Sequence, residues 1–453
     1  MIEAEDHIRA GTIFRGLLIH SLLGQGEMGA AYLASHPVLR TPMVIKIFKG
    51  INKKHVFKEA HLAARVRSPF VVEPVDAGLE QGFAFVTQRY VDGIDLDELG
   101  ECCRHLGWSL PIGLLARMMA EVARGLHAVH QVGVIHRDVK PANLFLRGDG
   151  QCCVGDFGVA VDPVRDASST AATGTPLFMA PEQWRQAAVG RSTDLYALGA
   201  TAHLLATGAP PFMARGPLSL ACAHTEIPYA RPPGGSPEAA YFFAVVERAL
   251  QKDPADRYPS AEAMAAALDT VAERPLAVRP TPEGARFGDL AVALEAGDLA
   301  QARCDVIVNA ANWAMVMRQG VSASLREAAG ASVEIEALKS APVPMGGVIW
   351  TSPGALEARW LAHAVSALEG AVCAQRCTLR ALLGAEAREA RSVAFPALGT
   401  GVGQVPMNLA AHLMLEAVRT FAALRPRHVR QIRVVLYDAA ALALWREVLE
   451  AMA

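Results

Sequence analysis

Residues 136–143 read His-Arg-Asp-Val-Lys-Pro-Ala-Asn, and residues 156–158 read Asp-Phe-Gly. Transfer of a phosphoryl group needs a carboxylate to orient and deprotonate the attacking hydroxyl, and hard oxygen ligands for magnesium. Asp138 suits the first task, Asn143 and Asp156 suit the second, and Lys140 can neutralise the group in transit. Upstream, residues 24–29 read Gly-Gln-Gly-Glu-Met-Gly. Glycines so spaced let backbone N–H groups fold over phosphates, although strand-to-strand turns produce the same pattern by chance. Lys46 lies in the apolar run 43–48, where an unpaired ammonium is costly. Its candidate anions are nucleotide phosphates and the carboxylate of Glu59, on the helical pattern 57–66. The plain alternative, a lysine reaching solvent from an edge strand, weakens once 136–143 and 156–158 are read beside it.

Further on, residues 174–182 read Gly-Thr-Pro-Leu-Phe-Met-Ala-Pro-Glu, with Asp194 and Arg257 beyond. In this order the motifs resemble those of the eukaryotic-like serine/threonine protein kinases over residues 12–272. The resemblance implies an α+β bilobal fold, a small N-terminal sheet and a helical lobe, with ATP and magnesium (or manganese) in the cleft between them. It implies that ATP lies against Leu23, Gly24, Gln25, Gly26, Glu27, Met28, Gly29, Ala30 and Ala31. Lys46 would hold the phosphates, paired with Glu59; Asp138 would be the base, Lys140 its neighbour, and Asn143 with Asp156 the metal ligands. Thr175 would contact Asp138 and mark Ser/Thr rather than Tyr specificity. Glu182 with Arg257 would be a buried ion pair, and Asp194 the anchor of the catalytic loop. Val44 and Ala31 depart slightly from the family's usual Ala and Val, and neither departure removes a catalytic group. Residues 165–173 are small, polar and hydroxyl-rich, either a plain loop or an activation segment. In the second case Ser168, Ser169, Thr170 and Thr173 are phosphosites, with Arg137 as partner for the added charge.

The whole chain has 453 residues, 52% hydrophobic and 19% charged, which excludes global disorder. Forty-three Lys and Arg against 45 Asp and Glu give a net charge of −2, unlike the footprint of a nucleic-acid or membrane-surface binder. The acidic start Met-Ile-Glu-Ala-Glu-Asp is not a secretory signal, and no apolar run is long enough to cross a bilayer. Eight cysteines, several in adjacent pairs, have neither zinc-knuckle spacing nor disulfide density. A cytoplasmic protein with reduced thiols is expected.

Two Pro-rich stretches, 227–237 and 273–284, compete as a boundary. The second follows an Ala-rich amphipathic pattern at 261–272 and precedes alternating strand and helix signals, so an extended linker is expected over 273–286. Beyond it, residues 305–312 read Asp-Val-Ile-Val-Asn-Ala-Ala-Asn, a buried strand ending in amides where open α/β sheets bind ligands. Gly320-Val321-Ser322 opens a helix, and residues 395–403 give a second Gly-rich turn between strand and helix. Together these resemble the macrodomains, ADP-ribose-binding modules with a three-layer α/β fold, over residues 287–453. The resemblance implies that Asp298 accepts from the adenine amino group and that Leu299 meets the ring. Asn312 would face the distal ribose, Gly320 and Val321 the pyrophosphate, and Gly399, Thr400, Gly401, Val402 and Gly403 its other side, with Asn309 and Ser322 also among the residues of the ADP-ribose site. Hydrolytic relatives have more glycines in the first loop and an aspartate where this chain has Ser322, so binding is expected rather than hydrolysis. The expected protein is a Mg-ATP-dependent Ser/Thr kinase acting on protein substrates, with a module for ADP-ribose or ADP-ribosylated protein. The competing readings are a silent kinase-like scaffold and a macrodomain hydrolase.

Overall fold

The fold is that of a computed structural model, which describes residues 8–26, 29–39, 41–48, 64–80, 82–156, 176–368, 371–401 and 403–453. Glu27, Met28, Glu59, Ser168, Ser169, Thr170, Thr173, Thr175 and Val402 lie outside them.

An antiparallel sheet of six strands begins the chain, in the order Ile13–Phe14, Leu17–Gly26, Gly29–Ser35, Pro42–Phe48, Phe83–Arg89, Pro74–Glu80. Strand periodicity sends Met43, Ile45 and Ile47 to one face, where they pack with Ile19, Tyr32 and Phe85. Lys46 falls on the opposite face, opposite Ala31 on one neighbouring strand and Val86 on the other. Gly29 turns the chain between the second and third strands; a Cβ there would stand 1.9 Å from the Ile47 carbonyl oxygen, at φ 149°. Only glycine fits so close an approach.

The second lobe is mainly helical. Its central helices, Ile112–Gln131 and Arg191–Thr207, are buried over most of their length, with Leu115, Met119, Leu126, Tyr196 and Leu198 in one core. Gly125 lets the first of them pass the Phe70 carbonyl, which a Cβ would meet at 2.3 Å. A three-stranded sheet, Gly93–Asp95, Leu144–Arg147 and Cys152–Val154, carries the segments on either side of the sequence motifs.

The span 273–286 differs from the extended linker expected. Val278–Thr281 and Gly284–Phe287 are strands, paired in register with each other and with Leu290–Ala296. Pro280 is accommodated because its strand is the outermost of the sheet, where a missing N–H breaks no interior ladder. The sheet has eight strands, continuing through Gln431–Leu436, Ser392–Phe395, Val306–Ala311, Trp360–Val365 and Val348–Thr351. The five from Leu290–Ala296 to Trp360–Val365 run parallel. Ile307, Leu361, Ala394 and Val435 meet Leu325 and Val333 from the helices Gly320–Ala329 and Ser332–Leu338. Val306, Val308, Phe395 and Ile432 face the other way, toward the helices Ala374–Glu386, Met407–Ala423 and Ala439–Ala451. This is the three-layer α/β arrangement expected of the second region. No helix among the described residues is long and apolar enough to cross a membrane.

Candidate active site and nucleotide pocket

The loop that carries Asp138 is hung from one buried carboxylate. Asp194, fully enclosed on the Arg191–Thr207 helix, accepts from the backbone N–H of His136 at 2.9 Å and of Arg137 at 2.7 Å, and lies 2.7 Å from His130 Nε2. His136 reaches the Gly155 carbonyl at 2.8 Å, and the Gln183 amide donates to the Arg137 carbonyl at 3.2 Å. Arg137 and Asp156 sit in the left-handed region at φ 67° and 65°. Neither is glycine, and such strained backbone persists only where its surroundings over-determine it.

Asn143 ends the short turn Pro141–Asn143 and donates its amide to the Asp138 carbonyl at 2.8 Å and the Asp138 carboxylate at 3.0 Å. Lys140 Nζ is 2.7 Å from Asp138 Oδ2. Across the cleft Lys46 forms an ion pair with Asp156. Burial pushes the Asp156 carboxyl upward, but the ammonium of Lys46 outweighs burial and holds it below its ordinary value. Thus Asp138, Lys140, Asn143, Asp156 and Lys46 converge from both lobes. Gln88 joins them by a side-chain hydrogen bond to Asp156. The sequence reading passed over Gln88, which closes the run Phe83-Ala84-Phe85-Val86-Thr87-Gln88 and carries no distinctive local signal.

Leu23, Gly24 and Gln25 are exposed on the strand that faces this cleft, and Gly24, Gln25 and Gly26 pair with Ala31, Ala30 and Gly29. Glu182 and Arg257 form a two-pronged buried ion pair, both contacts at 2.8 Å, with Thr193 donating to the same carboxylate at 2.7 Å. Burial works against the Glu182 charge, and the Arg257 guanidinium overcomes it, holding the carboxyl low.

In the second region the expected ligand residues divide. Asp298 is exposed, accepting from the Ala300 N–H at 2.9 Å and the Ser324 hydroxyl at 3.2 Å through the same oxygen. Asn312 is exposed and staples its loop to Val316, while Val321 is partly exposed at the opening of its helix. Gly399, at φ 82°, Thr400, Gly401 and Gly403 follow the Ser392–Phe395 strand, at the carboxyl edge shared with Ala311. Leu299, Asn309 and Ser322 turn inward instead. Leu299 packs with Ile307 and Leu325. Asn309 has no exposed surface: its amide lies 3.1 Å from His363 Nδ1 and accepts from the Ser322 hydroxyl at 2.8 Å. Ser322 also donates to the Ala310 carbonyl at 2.9 Å. The side chains of Leu299, Asn309 and Ser322 thus face the interior of the domain rather than its surface. The polar atoms of Asn309 and Ser322 are satisfied by each other, by His363 and by the Ala310 carbonyl.

The family description "Protein kinase domain" matches residues 18–268, and "Macro domain" matches residues 308–414. The serine/threonine-protein kinase PknH of Mycobacterium bovis is 36% identical over 279 residues, covering 59% of this chain and 46% of its own. Serine/threonine-protein kinase PknB of Mycobacterium leprae is 32% identical over 263 residues, 54% of this chain and 41% of its own. The chain thus spans less than half the length of these curated relatives. Among solved structures, the PknI kinase domain of Mycobacterium tuberculosis is 29% identical, covering 59% of this chain and 100% of that one, with a TM-score of 0.47. The chain belongs to the protein kinase family and carries a Macro domain behind its kinase domain.

Proposed function

We propose that this protein transfers the γ-phosphate of ATP to serine or threonine of protein substrates. The observation that carries the reading is the convergence on one cleft of Asp138, fixed by Asn143 and Lys140, with the Lys46–Asp156 pair. In this reading Asp138 accepts the proton of the attacking hydroxyl, and Lys140 offsets the charge gathering on the group in flight. Lys46 holds the phosphates, and Glu59 orients Lys46. The amide nitrogen of Asn143 is committed to Asp138, which leaves its oxygen as a donor, and Lys46 favours the ionised form of Asp156. Two hard oxygen donors fit magnesium, which keeps waters and phosphate oxygens as its other ligands, and manganese can substitute. Bound there, the metal supplies positive charge beside the phosphates. Ser168, Ser169, Thr170 and Thr173 are the proposed self-phosphorylation sites, with Arg137 as the partner of the added charge.

The Macro domain binds ADP-ribose, free or attached to protein, through Asp298, Asn312, Val321 and the turn 399–403. Hydrolysis is disfavoured because Ser322 has no carboxylate and its hydroxyl is bonded inward to Asn309 and Ala310. Incubation with Mg-ATP labelled on the γ-phosphate, followed by phosphoamino-acid analysis, tests the first reading. Label on Ser or Thr supports it; a chain that binds ATP but labels nothing favours a kinase-like scaffold.

A further inference from the structure

Residues 90–92 carry the chain from the strand Phe83–Arg89 of one kinase lobe to the strand Gly93–Asp95 of the other. Whatever grips them sets how the lobe bearing Lys46 meets the lobe bearing Asp138 and Asp156. The grip comes from the Macro domain. The Asp92 carboxylate accepts from the backbone N–H of Gln375 at 3.2 Å and of Arg376 at 3.3 Å. These are first-turn donors of the Ala374–Glu386 helix, which have no partner within the helix and favour an anion. The Tyr90 hydroxyl lies 2.8 Å from Cys373 Sγ.

A second clamp lies beside the first. Glu98, on the kinase helix Leu96–His105, accepts from Arg380 through two nitrogens, one at 2.8 Å, and from Arg376 at 3.4 Å. Arg380 is itself tied to the Gly346 carbonyl at 2.6 Å, so the clamp is anchored to the Macro domain's own frame. On the far side of the crossing, Gly148 admits the Met407–Ala423 helix: a Cβ there would come within 2.5 Å of the Leu413 side chain. Trp108 and Phe421 meet with ring centroids 6.5 Å apart, and one continuous apolar cluster joins the two domains. The gripping helix is also tied to the carboxyl end of the strand Trp360–Val365, since Cys373 N–H donates to the Ser366 carbonyl at 2.8 Å.

We infer that the Macro domain is a fixed brace for the kinase hinge, and that Asp92, capped by the Ala374–Glu386 helix, is a positioning residue for ATP. The inference rests on the kinase reading proposed above. A packing surface with no role in the cleft would affect folding alone. A brace also affects how well the cleft receives ATP.

The test measures KM for ATP and kcat in the full chain, beside thermal melting. Asp92→Ala removes the acceptor, and Asp92→Asn restores an amide oxygen in its place. Losing a buried hydrogen-bond acceptor corresponds to up to roughly a tenfold change. KM should therefore rise by up to about tenfold in Asp92→Ala, with kcat within about twofold of wild type, and should return most of the way in Asp92→Asn. Gly148→Phe, a wedge that leaves Asp92 intact, should raise KM in the same direction and carries the test if Asp92→Ala does not fold. Unchanged KM in whichever of these variants fold overturns the brace. A wild type that transfers no phosphate overturns the kinase reading instead, and melting then decides the brace. A single wild-type transition that splits in two in Glu98→Ala supports it, and a transition that stays single overturns it.

Discussion

The catalytic loop of the kinase domain and the Asn309–Ser322 neighbourhood of the Macro domain are both polar networks, but they turn their polar atoms in opposite directions. In the first, Asp194 is buried and takes up backbone N–H groups, so that Asp138 and Lys140 keep part of their side chains at the cleft. In the second, Asn309, Ser322, His363 and Thr351 satisfy one another in the interior. Asp298, Asn312 and Val321, by contrast, keep their side chains exposed. A polar motif residue can thus serve the ligand or serve the loop that serves the ligand, and burial with satisfied partners separates the two.

The largest effect that contrast predicts is at the exposed end of the first network. Asp156→Asn should cut phosphoryl transfer by roughly 10²–10⁴-fold, on the scale of a lost catalytic group, without lowering the melting temperature sharply. Transfer near the wild-type rate would remove Asp156 from the site. The buried end should behave in the reverse way. Arg257→Leu leaves the Glu182 carboxylate enclosed and uncompensated, which costs about 3–5 kcal/mol of stability. Denaturant unfolding reads this directly, and a loss under about 1 kcal/mol would contradict the role of the pair.

The Macro domain should divide along the same line. Asp298→Ala should weaken ADP-ribose binding by roughly tenfold to a hundredfold, the effect of losing a charged hydrogen-bond partner, as calorimetry on the full chain would measure. Equal affinity in the variant would move the adenine contact elsewhere. Ser322→Ala should leave affinity nearly unchanged and cost about 0.5–1.5 kcal/mol of stability through its lost bonds to Asn309 and Ala310. A large loss of affinity at constant stability would return Ser322 to the ligand.

Acid separates buried groups of opposite sign. Burial holds His363 down at about 4, against an ordinary 6.5, and does the same to His203 and His224. The unfolded chain then takes up these protons first, so stability is full above pH 6.5 and falls as pH drops toward 4. Asp92 runs the other way. Burial raises it from 3.8 to about 7, so its contribution is full below the lower value and is lost as pH rises toward the upper one. The melting temperature of Asp92→Asn should therefore fall more steeply than that of wild type between pH 6.5 and 4. Parallel profiles would contradict the account of Asp92.

The kinase motifs were legible because phosphoryl transfer fixes residue type and order together, so 24–29, 46, 136–143 and 156–158 could be read as one constellation. Lys46 was legible only as an ammonium in an apolar run that needs an anion; its face is set by the pairing of its strand with Gly29–Ser35 and Phe83–Arg89. The Macro motif was legible as a fold and only partly as a site, because a strand's residue types do not say which amide its neighbours will consume. Asn309 meets His363 from a strand distant in sequence. The pairing of 278–287 was hidden for a related reason: Pro-rich edge strands look like linkers until a partner strand exists. The grip on residues 90–92 left no local sign at all, since the N–H groups that hold Asp92 belong to the backbone of another domain.

The most direct test of the account is the initial rate of γ-phosphate transfer to protein Ser/Thr by wild type and by Asp138→Asn, each saturated with Mg-ATP and checked for equal melting temperature. A positioned base is worth roughly 10²–10⁴-fold. The account predicts labelled Ser/Thr from wild type and a rate lower by that factor in the variant. Equal rates, or no transfer by a wild type that binds ATP, would contradict it.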